Sequence, residues 1–419
     1  MPAVMLEKEM DRGSGSSGLL AEKCARIAVE EAEKAAAKGT FGVGGLLIEN
    51  STGRVLKKMQ NRVIAAGSTT IVADPTAHVE KQLLDWYYFS RKKALPLLPP
   101  AADMTIVCSL DPCIMCAGAI LSAGMNVIRI SDDPECGVSC RGQDDLTTLP
   151  AELRQEKAAR FSAFGLRGKR SFAGSQDSIF SGSEIDPLFD KRSTRAFTSS
   201  LAKIRNNINK DWILPDRLEN PGLLAKSKPS SHLVKTIRHH NPQAFSEEHT
   251  LNPGAPGAAL GQVLISKARE SYRNAGLFNS ACIIDPFGNI LLAGGASPVE
   301  QTPLLDMMRR YYSLVNDAGE NGRRYLAHPK YCKIAILFGP ARSPAGLMEV
   351  GSLGSFFEGK LPRNSRGQLE YVIPRQDVSE LSGMLRSLPP FYSRTANLEN
   401  VIQQTQDDAL KEFCMARVP

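Results

Sequence analysis

Two stretches of the chain carry the same succession of predicted elements, and this internal repeat limits its possible folds more than any other feature. In the first, LLAEKCARIAVEEAEKAAAK (19–38) places apolar residues at helical spacing among Ala, Glu and Lys, and Gly39 ends the helix. FGVGGLLIE (41–49) and RVLKKMQNRV (54–63) read as two strands around the turn Asn50-Ser51-Thr52-Gly53. In ADPTAHVEKQLLDWYYFSRKKA, Asp74 can cap a helix and Pro75 suits its first turn. MTIVCSL (104–110) reads as a buried strand, PCIMCAGAILSAG (112–124) as a short helix and NVIRIS (126–131) as a further strand. From Ala258 the order returns: the helix LGQVLISKARESYRNAG, the hairpin NSACIIDPFGNILLAGG, the helix PLLDMMRRYYSLVN and the strand YCKIAILFGP. Leu83-Leu84-Asp85 and Tyr87-Tyr88 are echoed by Leu304-Leu305-Asp306 and Tyr311-Tyr312. This order implies α/β units, each a mixed sheet with helices on both faces.

The first unit carries the residues with chemistry: His78-Val79-Glu80, then Pro112-Cys113-Ile114-Met115-Cys116. One imidazole and two thiolates suit tetrahedral zinc, with the fourth position left open in a catalytic site. Cys113 and Cys116 fall at a helix start, where free N–H groups and the helix dipole favour thiolates, and their spacing lets both sulfurs reach one ion. His78 comes from the first turn of the neighbouring helix. Glu80, two residues on, cannot share the face of His78 on a regular helix, so it reads as a proton carrier and not a ligand. A CxxC alone could be a redox pair. A structural zinc with Cys108, Cys136 or Cys140 as fourth ligand is the other alternative. The joint occurrence of both motifs, separated by one strand, favours a single catalytic zinc in the N-terminal unit.

DPTAHVE (74–80) and DPCIMCAGAI (111–120) resemble the cytidine-deaminase-like superfamily, in particular its tRNA adenosine deaminase and guanine deaminase branch. The CAGA after the second thiolate is most similar to the bacterial tRNA adenosine deaminases. The resemblance covers about residues 18 to 131. It implies His78, Cys113 and Cys116 as zinc ligands, Glu80 as proton shuttle and Asn61 as a hydrogen-bonding partner of the base. Phe41, Ala77 and Pro112 would belong to the substrate-binding wall. Three departures stand out. Val79 replaces a usual Ala, the loop between Asn61 and Asp74 is long, and no helix is recognisable in DDPECGVSCRGQDD.

The repeat and the resemblance together imply two cytidine-deaminase-like domains, each a mixed five-stranded sheet flanked by helices, forming an intrachain pseudo-dimer. Aligning the repeats puts Val299 at His78, Gln301 at Glu80, Ala341 at Cys113 and Pro344 at Cys116. The second domain therefore reads as degenerate and metal-free, an arrangement similar to the eukaryotic wobble-adenosine deaminase with its impaired subunit. The expected layout is a flexible tail (1–17), a catalytic domain (18–145), a basic connector (146–254), the degenerate domain (255–375) and a C-terminal tail with a helix (376–419). The metal-free domain could complete the active-site wall, bind nucleic acid or cover an apolar surface.

Net charge is +7, and between Ala151 and Phe245 there are 17 Lys and Arg against 9 Asp and Glu, so the excess sits in the middle segment. Arg167, Lys169, Arg170, Lys191, Arg192, Arg195, Lys203 and Arg205 are the candidate phosphate contacts; a solvated basic surface is the alternative. The first reading of function is adenosine-to-inosine deamination in RNA of tRNA type, with RNA as partner. Deamination of free guanine, cytosine or cytidine is the second, and a nucleic-acid-binding protein with a retained deaminase scaffold the third. No signal peptide or membrane span is read from the sequence. The nine cysteines do not suggest a disulfide scaffold, which points to the cytoplasm. Further homo-oligomerisation stays open.

Overall fold

The computed structural model describes residues 14–68, 70–92, 98–138, 146–210, 212–296, 302–355, 368–373 and 378–419. The first half opens with α1 (Ser14–Ala37), the hairpin β1 (Gly44–Glu49) and β2 (Val55–Gln60), and α2 (Val79–Lys92). β3 (Met104–Leu110), α3 (Ile114–Ala123) and β4 (Asn126–Ser131) follow, then α4 (Ala151–Arg160) and β5 (Phe161–Ala163). Sheet order is β2-β1-β3-β4-β5, antiparallel across β2, β1 and β3 and parallel from β3 to β5. Period-two alternation divides the strands between two layers. Leu46, Ile48, Val107, Ile128 and Ile130 face α1 through Ala21, Cys24, Ala25, Ala28 and Val29. Leu47, Ile106, Cys108 and Val127 face the opposite layer, with Val79, Leu83 and Leu84 of α2 and Cys116 and Ile120 of α3.

The middle segment is not a connector. Its α4 and β5 complete the first sheet, and β6 (Gly165–Leu166) pairs with β7 (Glu184–Ile185). α5 (Pro187–Asn207) lies on the first half, where Ser193 Oγ donates to the Ser109 carbonyl and Ser200 Oγ accepts from Gly42 N. α6 (Pro221–Ser227) and α7 (His232–His240) belong with the second half, to which Asn241 Nδ2 donates at the Ile290 carbonyl. The three-residue β5 abuts α4 with no turn residue between them, which hides it from periodicity. The N-terminal expectation also shifts, because α1 starts at Ser14 inside the Gly/Ser run.

The second half contains α8 (Gly257–Ala275), the hairpin β8 (Ser280–Ile284) and β9 (Ile290–Gly295), α9 (Pro303–Gly322), β10 (Lys333–Leu337) and α10 (Pro344–Gly354). β11 (Gln368–Val372), α11 (Val378–Ser387), α12 (Leu398–Val401), β12 (Ile402–Gln404) and α13 (Asp408–Met415) complete it. Sheet order is β12-β11-β10-β8-β9, the order of the first sheet with the same pattern of parallel and antiparallel pairs. Both hairpins shift register one residue before the strand end or close to it, at Leu47/Ile48 and Ile283/Ile284. Tyr87 and Tyr311 each donate a hydroxyl to a carbonyl preceding the third strand, Pro99 and Ala327. The expected C-terminal tail is instead part of this fold, with β12 at the sheet edge and Leu410 and Cys414 of α13 packed beside Leu260 and Leu264 of α8.

The two halves meet where α3 crosses α10. A Cβ on Gly118 would lie 2.5 Å from the Pro344 carbonyl oxygen, and one on Gly351 would lie 2.2 Å from Met115 N. Glycine at both positions is what allows the helix backbones to touch. The helix bearing Cys116 is thereby packed directly on its counterpart. No helix of the described residues is long and apolar enough to cross a membrane.

Candidate metal centre and its pocket

His78 ends the loop before α2, and Glu80 follows in the first turn of that helix. Asn61 Oδ1 accepts from Val79 N at 2.7 Å, capping the helix one residue past the histidine. Gln82 Nε2 donates to the Ala77 and Gln60 carbonyls, fixing the loop from its own half. Cys113 is the N-cap of α3 and Cys116 lies in its first turn. His78, Cys113 and Cys116 place one ligand atom each within 4.8 Å of one another, with Cys113 Sγ 3.5 Å from His78 Nδ1. Tetrahedral zinc with such ligands separates them by roughly 3.5–3.8 Å, so the donor set fits the ion in chemistry and in spacing.

Glu80 is almost completely buried, with Oε1 accepting from Cys108 Sγ at 3.2 Å and Oε2 from Cys116 Sγ at 3.4 Å. Burial raises its carboxyl above the usual range, the nearby Cys113 adds to this and His78 opposes it. The hydrogen bond from Cys116 holds the Cys113 thiol well below the ordinary value, with His78 contributing. Burial keeps Cys108 protonated, and it serves as a donor to Glu80 outside the ligand trio. Cys136 lies in a turn whose N–H groups at Glu135 and Cys136 bind Asp133 Oδ1; it too stands outside the trio, and Cys140 falls outside the described residues. Val299 and Gln301 also lie outside them, whereas Ala341 and Pro344 offer no ligand atom.

The trio opens into a cleft lined by Phe41, Asn61, His78 and Glu80. Of the other expected wall residues, Ala77 accepts from Arg62 N at its carbonyl and Pro112 accepts from Val138 N; neither lines the cleft. Sequence reasoning missed the opposite wall. Phe197 and Leu201 come from α5, joined by Arg205, which the sequence offers instead as a phosphate contact, and Phe391 and Tyr392 come from the second half. The Tyr392 hydroxyl is directed at Cys113, and its ring fits over Gly354, where a Cβ would lie 2.3 Å from Cε1. Phe391 N donates to the Glu135 carbonyl, anchoring this segment across the mouth. No local motif marks a residue 275 positions beyond Cys116.

The basic candidates do not form one stripe. Arg167 pairs with Glu22 at 2.7 Å, Arg192 with Glu33 at 2.7 Å, and Arg170 with Asp132 and the carbonyls of Phe164 and Ile130. These three brace the fold. Arg205 enters the cleft wall with its guanidinium 5.9 Å from the Phe391 ring centre. Lys169, Lys191, Arg195 and Lys203 are exposed.

Residues 20–131 match the family model of the cytidine and deoxycytidylate deaminase zinc-binding region. That span contains the whole ligand trio and Glu80, so the match falls on the residues that form the candidate zinc site. Similar solved structures include one from work on A-to-I editing by tRNA deaminases at the transfer-RNA wobble position, 24 % identical over 29 % of this chain and 83 % of that one, TM-score 0.23. A guanine deaminase from Nitrosomonas europaea is 15 % identical over 43 % of this chain and 84 % of its own, TM-score 0.27. A mutant protein bound to 8-azaguanine is 16 % identical with the same coverages and a TM-score of 0.26.

Proposed function

We propose that the chain is a zinc-dependent hydrolase that deaminates an amine-bearing nucleobase. The observation that carries this reading is the buried Glu80 carboxylate beside three converging zinc donors. Zinc bound there supplies a Lewis acid that acidifies water. With Cys116 engaged as thiolate, Glu80 Oε2 loses its thiol donor and is left to accept the water proton and return it to the leaving amine. Cys108 keeps Oε1 in place meanwhile. Asn61 Oδ1 is committed to Val79 N, which turns its NH2 group toward acceptors on the base. Phe41 and Phe197 line the cleft and supply aromatic surface against which a flat heterocycle can pack.

Enclosure of the cleft by α5 and by Phe391-Tyr392 favours a free base or nucleoside as substrate. A specific observation supports the other reading, adenosine in RNA. Lys169, Lys191, Arg195 and Lys203 are exposed cations that could take phosphates, and a polymer substrate would have to present a flipped or unpaired base. Two thiolate ligands are most readily kept reduced in a reducing compartment, so the proposed location is the cytoplasm. The test incubates zinc-loaded protein with guanine, cytosine, adenine, their nucleosides and a tRNA pool, following ammonia and RNA mass. Ammonia from free compounds supports the first substrate reading, and inosine in RNA with steeply salt-dependent binding supports the second. No product from any of them, with zinc bound, overturns the enzyme.

A further inference from the structure

We propose that the second half is a positioning partner for the zinc site, with Arg309 fixing the loop and helix that carry His78 and Glu80. Arg309 lies on α9 of the second half and reaches across to the first. Its Nε is 3.2 Å from Asp74 Oδ2 and donates to Thr76 Oγ1 at 3.1 Å, both in the loop that ends at His78. Its Nη2 is 3.0 Å from Asp85 Oδ2, on the helix that starts beside Glu80. One planar guanidinium thus ties the approach of the histidine to the helix of the glutamate. The other oxygen of Asp74 already binds Thr76 N and Oγ1, so the loop is held as a closed unit. The buried Lys81 takes the other oxygen of Asp85.

Asn316, seven residues beyond Arg309 and so on the same face of α9, donates to the carbonyls of Val72 and Ala73 at 3.2 and 3.1 Å. The helix therefore lies along the loop at two points. Asp306, the acidic residue of the echoed Leu304-Leu305-Asp306 run, is by contrast paired within its own half by Arg310. An interface serving only to cover apolar surface requires no charged bridge onto the loop that ends at His78. Groups that orient metal ligands from outside the coordination sphere typically contribute 10–100-fold in metal affinity or activity.

The inference rests on the zinc site of the proposed function and not on its substrate. Metal-stripped full-length protein carrying Arg309→Ala, Arg309→Lys, Asn316→Ala or Arg310→Ala is titrated with zinc against a chelating indicator. Cobalt-loaded samples are read for thiolate charge-transfer and ligand-field bands. Arg309→Ala is expected to weaken zinc about tenfold or more and to shift the cobalt bands. Arg309→Lys recovers part of this, because an ammonium cannot span both carboxylates. Arg310→Ala, which breaks a contact inside the second half, leaves both readouts at wild type whatever it does to the melting temperature. Wild-type zinc affinity and cobalt spectrum in Arg309→Ala, or equal loss in Arg310→Ala, overturns the proposal. Should Arg309→Ala not fold, Arg309→Lys and Asn316→Ala decide by the same readouts. Wild-type protein that fails to bind zinc overturns the parent reading and this one with it.

Discussion

Replacing Gly351 by alanine adds one methyl group where the structure has no room for it. The new Cβ would stand 2.2 Å from Met115 N and 2.5 Å from Met115 Cα, against the roughly 3.4 Å of ordinary contact, so α10 must retreat from α3 by about 1 Å. The obstacle is backbone on both sides, with no flexible side chain able to yield. Overpacking of this kind costs about 1–3 kcal/mol, and the better helix propensity of alanine returns up to about 1 kcal/mol. A net loss of about 1–2 kcal/mol should be read as a lower urea midpoint at unchanged slope. Met115 sits between Cys113 and Cys116, so zinc affinity should fall with stability. Gly383→Ala is the comparison: it is interior to α11 with its nearest neighbour, Thr148 Cγ2, 3.9 Å away, and should be neutral or stabilising by up to about 1 kcal/mol. Equal midpoints for the two variants would refute the claim that the halves meet through closely crossed helices.

Glu80→Gln should keep zinc, measured by metal analysis, while turnover drops at least about 100-fold, the usual contribution of a positioned acid–base group. Tyr392→Leu removes the hydroxyl facing Cys113 and one wall of the cleft, so KM and the cobalt spectrum should both move; a change in melting temperature alone would make it a packing residue. Glu349, buried and accepting from Thr302 Oγ1 and Leu304 N, has its carboxyl pushed up to about 8 by burial. The folded state therefore holds this proton more tightly than the unfolded chain, and its share of stability is full below the ordinary carboxylate value and is lost as pH rises toward about 8. Glu349→Gln should flatten that decline in denaturant titrations between pH 5 and 9; an unchanged slope would show that the carboxyl titrates normally.

The chemistry was legible because it is local. His78 and Glu80 share one helix start, Cys113 and Cys116 another, and the intervening strand MTIVCSL announces itself by composition. The repeat was legible for a similar reason, since Tyr87 and Tyr311 keep the same partner type as well as the same place in the pattern. What escaped was set by distant packing. β5 is only three residues long and gains its identity from pairing with β4, and β12 gains its own from β11. The positive charge of Arg167, Arg170 and Arg192 suggested phosphates, but the carboxylates that neutralise two of them, Glu22 and Glu33, lie some 145 and 159 residues earlier in the chain. Asn61 was read as a base contact, and half of its amide turned out to be engaged in capping α2.

Tyr392 follows Cys116 by 276 residues, and this distance has a consequence for the order of events at the ribosome. At synthesis rates of about 5–20 residues per second, the metal donors emerge roughly 15–55 s before the ring that faces them. A nascent chain that has passed Arg309 but not Tyr392 thus holds the metal donors and their brace while the cleft still lacks one side. The second wall of the cleft is complete only once Phe391 and Tyr392 have been made, so under the proposed function a product ending before them would lack the side that faces Cys113.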